Sequence, residues 1–265
     1  MIKFFRKIRQ KLISENKFSK YLIYAIGEII LVVIGILIAL SINNWNENIK
    51  NNKLESLFIT RLIDDINEEI SFIDNYVHYN KQVKDFTNRV QQHFLNPDLA
   101  LKMPSQSLIN FYQASQDIDA RQPASTYKEL NNSGQINLIS NYELRTRLIN
   151  FYESNWSNSN TANYSNSYRE YLRRRMPNNI QEEIRINCGD IVIETGNSLS
   201  VKLQENCQID IDEKEAKIVL TNLLKDSELK NNLNYLAGNM YSELTMVNSI
   251  QRRLIELKKE LEQHK

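Results

Sequence analysis

Chain breakers are scarce in this sequence, with six glycines and four prolines among 265 residues. A many-turned β architecture needs those residues at its turns, so the scarcity points to long helices. Three histidines and two cysteines leave little for metal chemistry. His264 is in the C-terminal tail, and His78 and His93 stand fifteen residues apart on one helical pattern, too far to share an ion. There is no glycine-rich phosphate loop, no H-E-x-x-H and no G-x-S-x-G. No acid, base and nucleophile converge in the sequence, so neither an enzyme nor a resident cofactor or metal is expected. A broad basic domain is also missing, which argues against a nucleic-acid partner. The net charge of +1 conceals an asymmetry. Residues 1–20 carry Lys3, Arg6, Lys7, Arg9, Lys11, Lys17 and Lys20 against Glu15 alone, whereas residues 43–265 sum to −4.

What the sequence does have is one long apolar run, YLIYAIGEIILVVIGILIALSI, residues 21–42. As a helix it measures about 33 Å, enough for a hydrocarbon core of roughly 30 Å. The run reads as a transmembrane helix with the lipid bilayer as its first partner. Seven cations before it and a near-neutral stretch after it put the N-terminus in the cytoplasm. Tyr21, Tyr24 and Trp45 suit the two interfaces. A cleaved signal peptide is the competing reading, since Ala39-Leu40-Ser41 offers small residues to a peptidase. Against it, the run is longer than the usual apolar region of about 7 to 15 residues. In residues 1–20, Phe5, Ile8 and Leu12 recur at helical spacing among cations, which suits a basic amphipathic helix on the inner leaflet or, equally, a disordered retention signal.

Glu28 interrupts the apolar run. At helical spacing it shares a face with Tyr24, Gly35 and Ala39. Gly35 and Ala39 form a small-xxx-small pair that permits close backbone approach, and an ionisable group in lipid normally faces protein. This face is expected to pack on another helix, from a second copy in a homo-oligomer or from another membrane protein. A protonated Glu28 bonded to Tyr24 on a lone helix is the alternative.

Beyond Trp45 the apolar positions keep helical spacing: Leu54, Phe58, Leu62, Ile66, Ile70, Ile73, Val77, Phe86, Val90 and Phe94, until Asn96-Pro97. A short helical segment is expected near 105–116. Thr126/Glu129 and Ser140/Glu143 match the capping box, the first helix closing at Gly134 and the second running from Asn141 to Met176. Its middle, WSNSNTANYSNS, is poor in helix formers, so a break near 154–166 is expected. The last helix spans about Ser227 to Gln263 and suits antiparallel packing on the helix that leaves the membrane. Asp64-Asp65 and Glu68-Glu69 read as a solvated face, and the thirteen tyrosines as mostly core. The Asn-x-Ser triplets at Asn131, Asn155 and Asn163 are what chance supplies in an Asn-rich chain.

Residues 182–212 change period. Ile184/Ile186, Ile191/Ile193, Val201/Leu203 and Ile209/Ile211 alternate around a turn at Gly196-Asn197-Ser198. A β-hairpin insertion follows, with Ile193 opposite Val201 and Ile191 opposite Leu203. That pairing brings Cys188 and Cys207 near opposition, with Gly189 as host for a corrective bulge, so a disulfide is expected in an oxidising compartment. The expected fold is mainly α: one N-terminal transmembrane helix, then an elongated antiparallel helical bundle over 43–265 with a small β-hairpin insertion.

The block MIKFFRKIRQKLISENKFSKYLIYAIGEIILVVIGILIALSINNWNE closely resembles the opening of an uncharacterised family of single-pass membrane proteins found in Gram-negative bacteria of the Bacteroidota. The segment TYKELNNSGQINLISNYELRTRLINFYE resembles that family's second shared block. The resemblance implies an inner-membrane address with the helical domain in the periplasm, and supplies no activity. Two roles are open: a scaffold or interaction module of the cell envelope, and a sensory module similar to the four-helix ligand-binding domains of bacterial chemoreceptors. Because only about 20 residues are expected inside, a sensor would have to signal through a partner.

Overall fold

The computed structural model describes residues 18–195 and 198–265. The basic head up to residue 17 and the turn residues Gly196 and Asn197 lie outside the described residues. The chain divides into two units, Met1–Leu57 and Phe58–Lys265. Among the described residues there are nine α-helices: α1 (Phe18–Leu95), α2 (Pro97–Ala100), α3 (Pro104–Gln113), α4 (Ser125–Asn132), α5 (Tyr142–Glu153), α6 (Ser167–Arg175), α7 (Asn178–Asn187), α8 (Glu213–Lys225) and α9 (Ser227–Gln263). One antiparallel pair, β1 (Ile191–Thr195) and β2 (Ser198–Lys202), completes them. The fold is mainly α with a small hairpin, as the periodicity leads one to expect.

Helix α1 runs without a proline and stops where Asn96-Pro97 must stop it, since Pro97 lacks a backbone donor and restricts its predecessor. In the first unit, residues from Leu22 to Ile42 are exposed along the helix, apart from the half-buried Tyr24, Ala25 and Glu28. In the second unit the stripe Phe58, Leu62, Ile66, Ile73, Val77, Phe86 and Val90 is buried.

The 37-residue α9 lies antiparallel to the Phe58–Leu95 part of α1. Bonded pairs fix that direction: Asp74 with Gln251, Tyr76 with Glu243, and Gln91 with Asn234. Two apolar cores result. One joins Phe58–Val77 to α4, α5 and the C-terminal half of α9. The other joins Tyr79–Val90 to α3, α6, α7, α8 and the N-terminal half of α9. Helix starts are capped by Asn141, Asn166, Asp212 and Asp226, whose side chains accept from backbone N–H groups in the first turn.

Several expectations need correction. Neither Thr126 nor Ser140 stands at the N-cap position. Helix α4 begins at Ser125, and its free N–H at Thr126 donates to Asp65 of α1 at 2.7 Å, so the cap comes from a neighbouring helix. Asn141, not Ser140, caps α5. Residues 182–187, read as strand, belong to α7, because Ile180 and Ile184 are buried one helical turn apart against the second core. Ile209 and Ile211 pack on that core without forming a strand. The break expected near 154–166 is present and divides the Asn141–Met176 stretch into α5 and α6. Helix α8 has no counterpart in the expected layout.

The hairpin register also differs by one residue. Val192 pairs with Val201 and Ile191 with Lys202, rather than Ile193 with Val201. Thr195 faces Ser198, so two residues make the connection where three were expected, and turn length sets register. Apolar alternation could not correct this, because Ile191, Val192 and Ile193 are all exposed.

Candidate functional site

Three features stand out, the first in the N-terminal unit. Tyr24, Glu28, Gly35 and Ala39 lie along the continuous helix α1; Tyr24 and Glu28 are half-buried, Gly35 and Ala39 exposed. A Cβ added at Gly35 would meet nothing within 4 Å among the described residues, so none of them uses the close approach its size permits. An 18-residue window of this helix is long and apolar enough to cross a membrane, and none of it is buried.

The second feature is the cystine. Cys188 and Cys207 are joined, with Cα atoms 5.4 Å apart, and both side chains are buried in the second core. Cys188 closes α7 and is not a strand residue. Gly189 hosts no bulge within the β1–β2 pairing. A Cβ there would lie 2.6 Å from the Arg185 carbonyl oxygen, so only glycine lets the chain turn off α7 this closely. Helix α1 holds the other side of the hairpin. The Val201 N–H donates to Asn75 Oδ1, and Gln82 exchanges a reciprocal pair of hydrogen bonds with the backbone of Leu203, which ties the end of β2 to α1.

The third feature was missed in the sequence: a buried polar layer where the two cores meet. Glu243 of α9 is 3% exposed and accepts from the Tyr76 hydroxyl of α1. Burial pushes its carboxyl up to about 7; bonds from Tyr76 and Tyr164 resist the rise and the nearby Asp117 adds to it. None of the groups that act on it is a cation. Next along α1, Tyr79 donates to Asp190 at 3.4 Å. Asp117 is also raised by desolvation, in spite of Arg169 beside it. Arg169 in turn donates to the Ser115 carbonyl at 2.8 Å and to Gln116 Oε1 at 3.1 Å. Outside this layer lies a half-open groove of about 600 Å³, lined by Phe72, Asn75, Ile118 and Arg121 together with Asp117 and Arg169.

About two turns back along α1 from Tyr76, Glu69 is fully buried. It accepts from the Trp156 indole N–H at 3.1 Å, and burial pushes it up to about 7. The expectation that Glu68-Glu69 forms a solvated face therefore fails at Glu69: α5 and the Trp156 turn cover a second side of α1, while Asp64 and Glu68 stay exposed. Asp65 likewise serves as the α4 cap. His93 bonds Asn110 at 2.9 Å and stacks on Phe111, a packed side chain. Among the described residues no group of three or more His, Cys, Asp or Glu is placed to hold a metal ion.

Residues 28–170 match the model of a family of unknown function (DUF6090), more than half of the chain. The chain belongs to that family. No curated protein and no solved structure matches it. The family segment begins at Glu28 and ends in α6, so it contains most of the apolar run, the α1, α4 and α5 sides of the first core, and the Glu69–Trp156 contact. The cystine, the hairpin and α9 with Glu243 lie beyond it.

Proposed function

We propose that this chain is a membrane-anchored, non-enzymatic helical module of the bacterial envelope that binds other proteins. Residues 21–42 cross the inner membrane with the N-terminus in the cytoplasm, and the unit from Phe58 onward stands in the periplasm. The observation that carries this reading is the uncovered apolar surface of α1 from Leu22 to Ile42. Soluble surfaces rarely expose more than a few hundred Å² of contiguous apolar area, whereas lipid covers such a helix completely. The charge of the first twenty residues supports the orientation. A buried cystine supports an oxidising compartment. The helix face of Tyr24, Glu28, Gly35 and Ala39 is the contact with a second copy or with another membrane protein.

Alkaline carbonate extraction of native membranes, paired with a C-terminal alkaline phosphatase fusion, tests the anchor. Retention in the pellet and an active fusion are expected. A soluble polypeptide beginning near Ile42, or an inactive fusion, refutes it. Replacing Glu28 and Gly35 with Leu tests the contact, since association in membranes that survives both changes removes the role of this face.

A second reading is a periplasmic sensory module signalling through a partner. The buried carboxyls Glu69 and Glu243 favour it, because their charge changes near neutral pH inside two packed helices. Crosslinking to a partner that depends on periplasmic pH would select this reading over a passive scaffold.

A further inference from the structure

A second groove opens beside α4 and the end of α5, away from the polar layer, with a volume of about 440 Å³. That lies within the roughly 300–1,000 Å³ typical of small-molecule sites. Its lining is unusual for a surface depression. Four of its lining residues carry carboxamides, Gln122, Asn131, Asn132 and Asn155, and its one aliphatic residue is Ala124. Lys128 and Glu153 supply one charge of each sign.

Two residues of this lining each carry a buried polar atom without a partner. Tyr152 is 6% exposed and its hydroxyl has no hydrogen-bond partner; the Gln122 amide nitrogen is buried and also has none. Behind them, the fully buried Glu69 leaves Oε2 without a partner, and its charge acts on the Tyr152 phenol. Orphaned buried polar groups cost about 1–3 kcal/mol each, so three in one neighbourhood call for an explanation. At the rim, Asn155 has φ 40°, the sole non-glycine residue in the left-handed region among the described residues. Strained backbone of this kind tends to collect where a ligand is gripped.

The chemistry selects the ligand. Beyond Ala124, the apolar surface of the groove is that of two stacked aromatic rings, Tyr127 and Tyr152, which suits the face of a sugar ring more than an aliphatic chain, and an anion would find one exposed lysine and no arginine. Donors and acceptors are instead mixed: amide N–H₂ groups, amide carbonyls, a phenol and a carboxylate oxygen. Hydroxyl groups, which both donate and accept, satisfy all of them. We propose that this groove binds a neutral saccharide, one or two sugar rings of a glycan, with the Gln122 amide and the Tyr152 hydroxyl as its buried anchors. The site gives the sensory reading a ligand class. Binding itself rests on the groove alone and holds wherever the chain is located.

The test uses the full chain in a zwitterionic detergent, because sugar-headed detergents would compete. Isothermal titration with maltotriose and with tri-N-acetylchitotriose is expected to show binding of at least one, with Kd on the order of 0.01–1 mM. Binding of both assigns recognition to hydroxyls; binding of the acetylated sugar alone assigns it to amide pairing between the carboxamides and the acetamido groups. Gln122→Ala and Tyr152→Phe should each weaken binding about tenfold. Tyr152→Phe keeps the ring and removes only an unpaired hydroxyl, so it should melt no lower than the natural protein and separates binding from folding. No heat with either sugar at about 10 mM, or an affinity unchanged in both variants, overturns the proposal. Sodium glutamate competing with the sugar would also overturn it, by showing a site for charged ligands.

Discussion

The two buried glutamates make stability depend on pH in an unusual sense. Surface carboxylates held by cations lose stabilisation on acidification; Glu69 and Glu243 do the opposite. Each has an ordinary value near 4.5 and is pushed up to about 7 by burial. The folded chain therefore holds a proton on each that the unfolded chain releases between those values. Stability from these groups is fully present below about 4.5 and is lost as pH rises to about 7. One pKa unit corresponds to about 1.4 kcal/mol, so each group loses about 2 kcal/mol between pH 5.5 and 7.5. Relaxation and water entry reduce this, which leaves about 2–4 kcal/mol for the pair. For a domain of this size 1 kcal/mol moves Tm by about 2–4 °C. The midpoint should therefore be about 5–15 °C lower at pH 7.5 than at pH 5.5.

The assay is thermal unfolding followed by circular dichroism, with the full chain in micelles at constant ionic strength across that interval. Asp117 and Asp190 are raised as well and act in the same direction. The double variant Glu69→Gln, Glu243→Gln keeps the shape of both side chains and removes both protons, so it should flatten most of the slope. A midpoint that is level or climbs from pH 5.5 to 7.5 in the natural protein would refute the reasoning. So would a double variant that keeps the full slope, since the dependence would then lie elsewhere.

Three further outcomes follow from the packing. Replacing Cys188 and Cys207 with Ser opens a loop of 19 residues, worth about 3 kcal/mol in chain entropy, and should lower the melting midpoint by roughly 6–12 °C without changing helix content. Asp65→Ala removes the acceptor for Ser125 Oγ and the Thr126 N–H, and should cost about 1 kcal/mol in a denaturant titration while leaving the slope unchanged. Tyr168→Phe strands the Phe111 carbonyl, which the buried hydroxyl now meets at 3.1 Å, and should cost about 1–3 kcal/mol in the same titration.

Which parts could be read in advance follows from how local their causes are. Asn96-Pro97 ends α1 through the chemistry of one dipeptide, and α9 spans Ser227–Gln263 because its apolar stripe repeats without interruption. Helix α8 had a signal that went unused: Asp212 caps it, Glu215 follows three residues later, and Ala216, Leu220 and Leu223 keep helical spacing. Helix α7 was harder, because the alternation Ile184, Ile186 suits a strand equally well over so short a span. Only Ile180, one turn earlier, breaks the tie by being buried with Ile184.

The site residues were hidden for a different reason. Glu68 and Glu69 are adjacent acids on one helix, and nothing in their order distinguishes the exposed one from the buried one. What separates them is Trp156, 87 residues away, whose indole N–H reaches Glu69 across the first core. Glu243 repeats the pattern with Tyr76, 167 residues distant. In both cases an uncharged donor on another helix takes the place of the cation that would signal an ion pair, so charge patterning along the sequence carries no trace of the contact. A buried acid matched to a phenol or an indole lowers the desolvation cost without cancelling the charge, and it is therefore free to titrate near neutral pH. An acid locked to arginine is not. Arg61 with Glu129, an exposed pair on the same bundle, holds its carboxyl below the ordinary range. The interior acids of this chain are thus chemically distinct from its surface acids, and that distinction arises only when the helices meet.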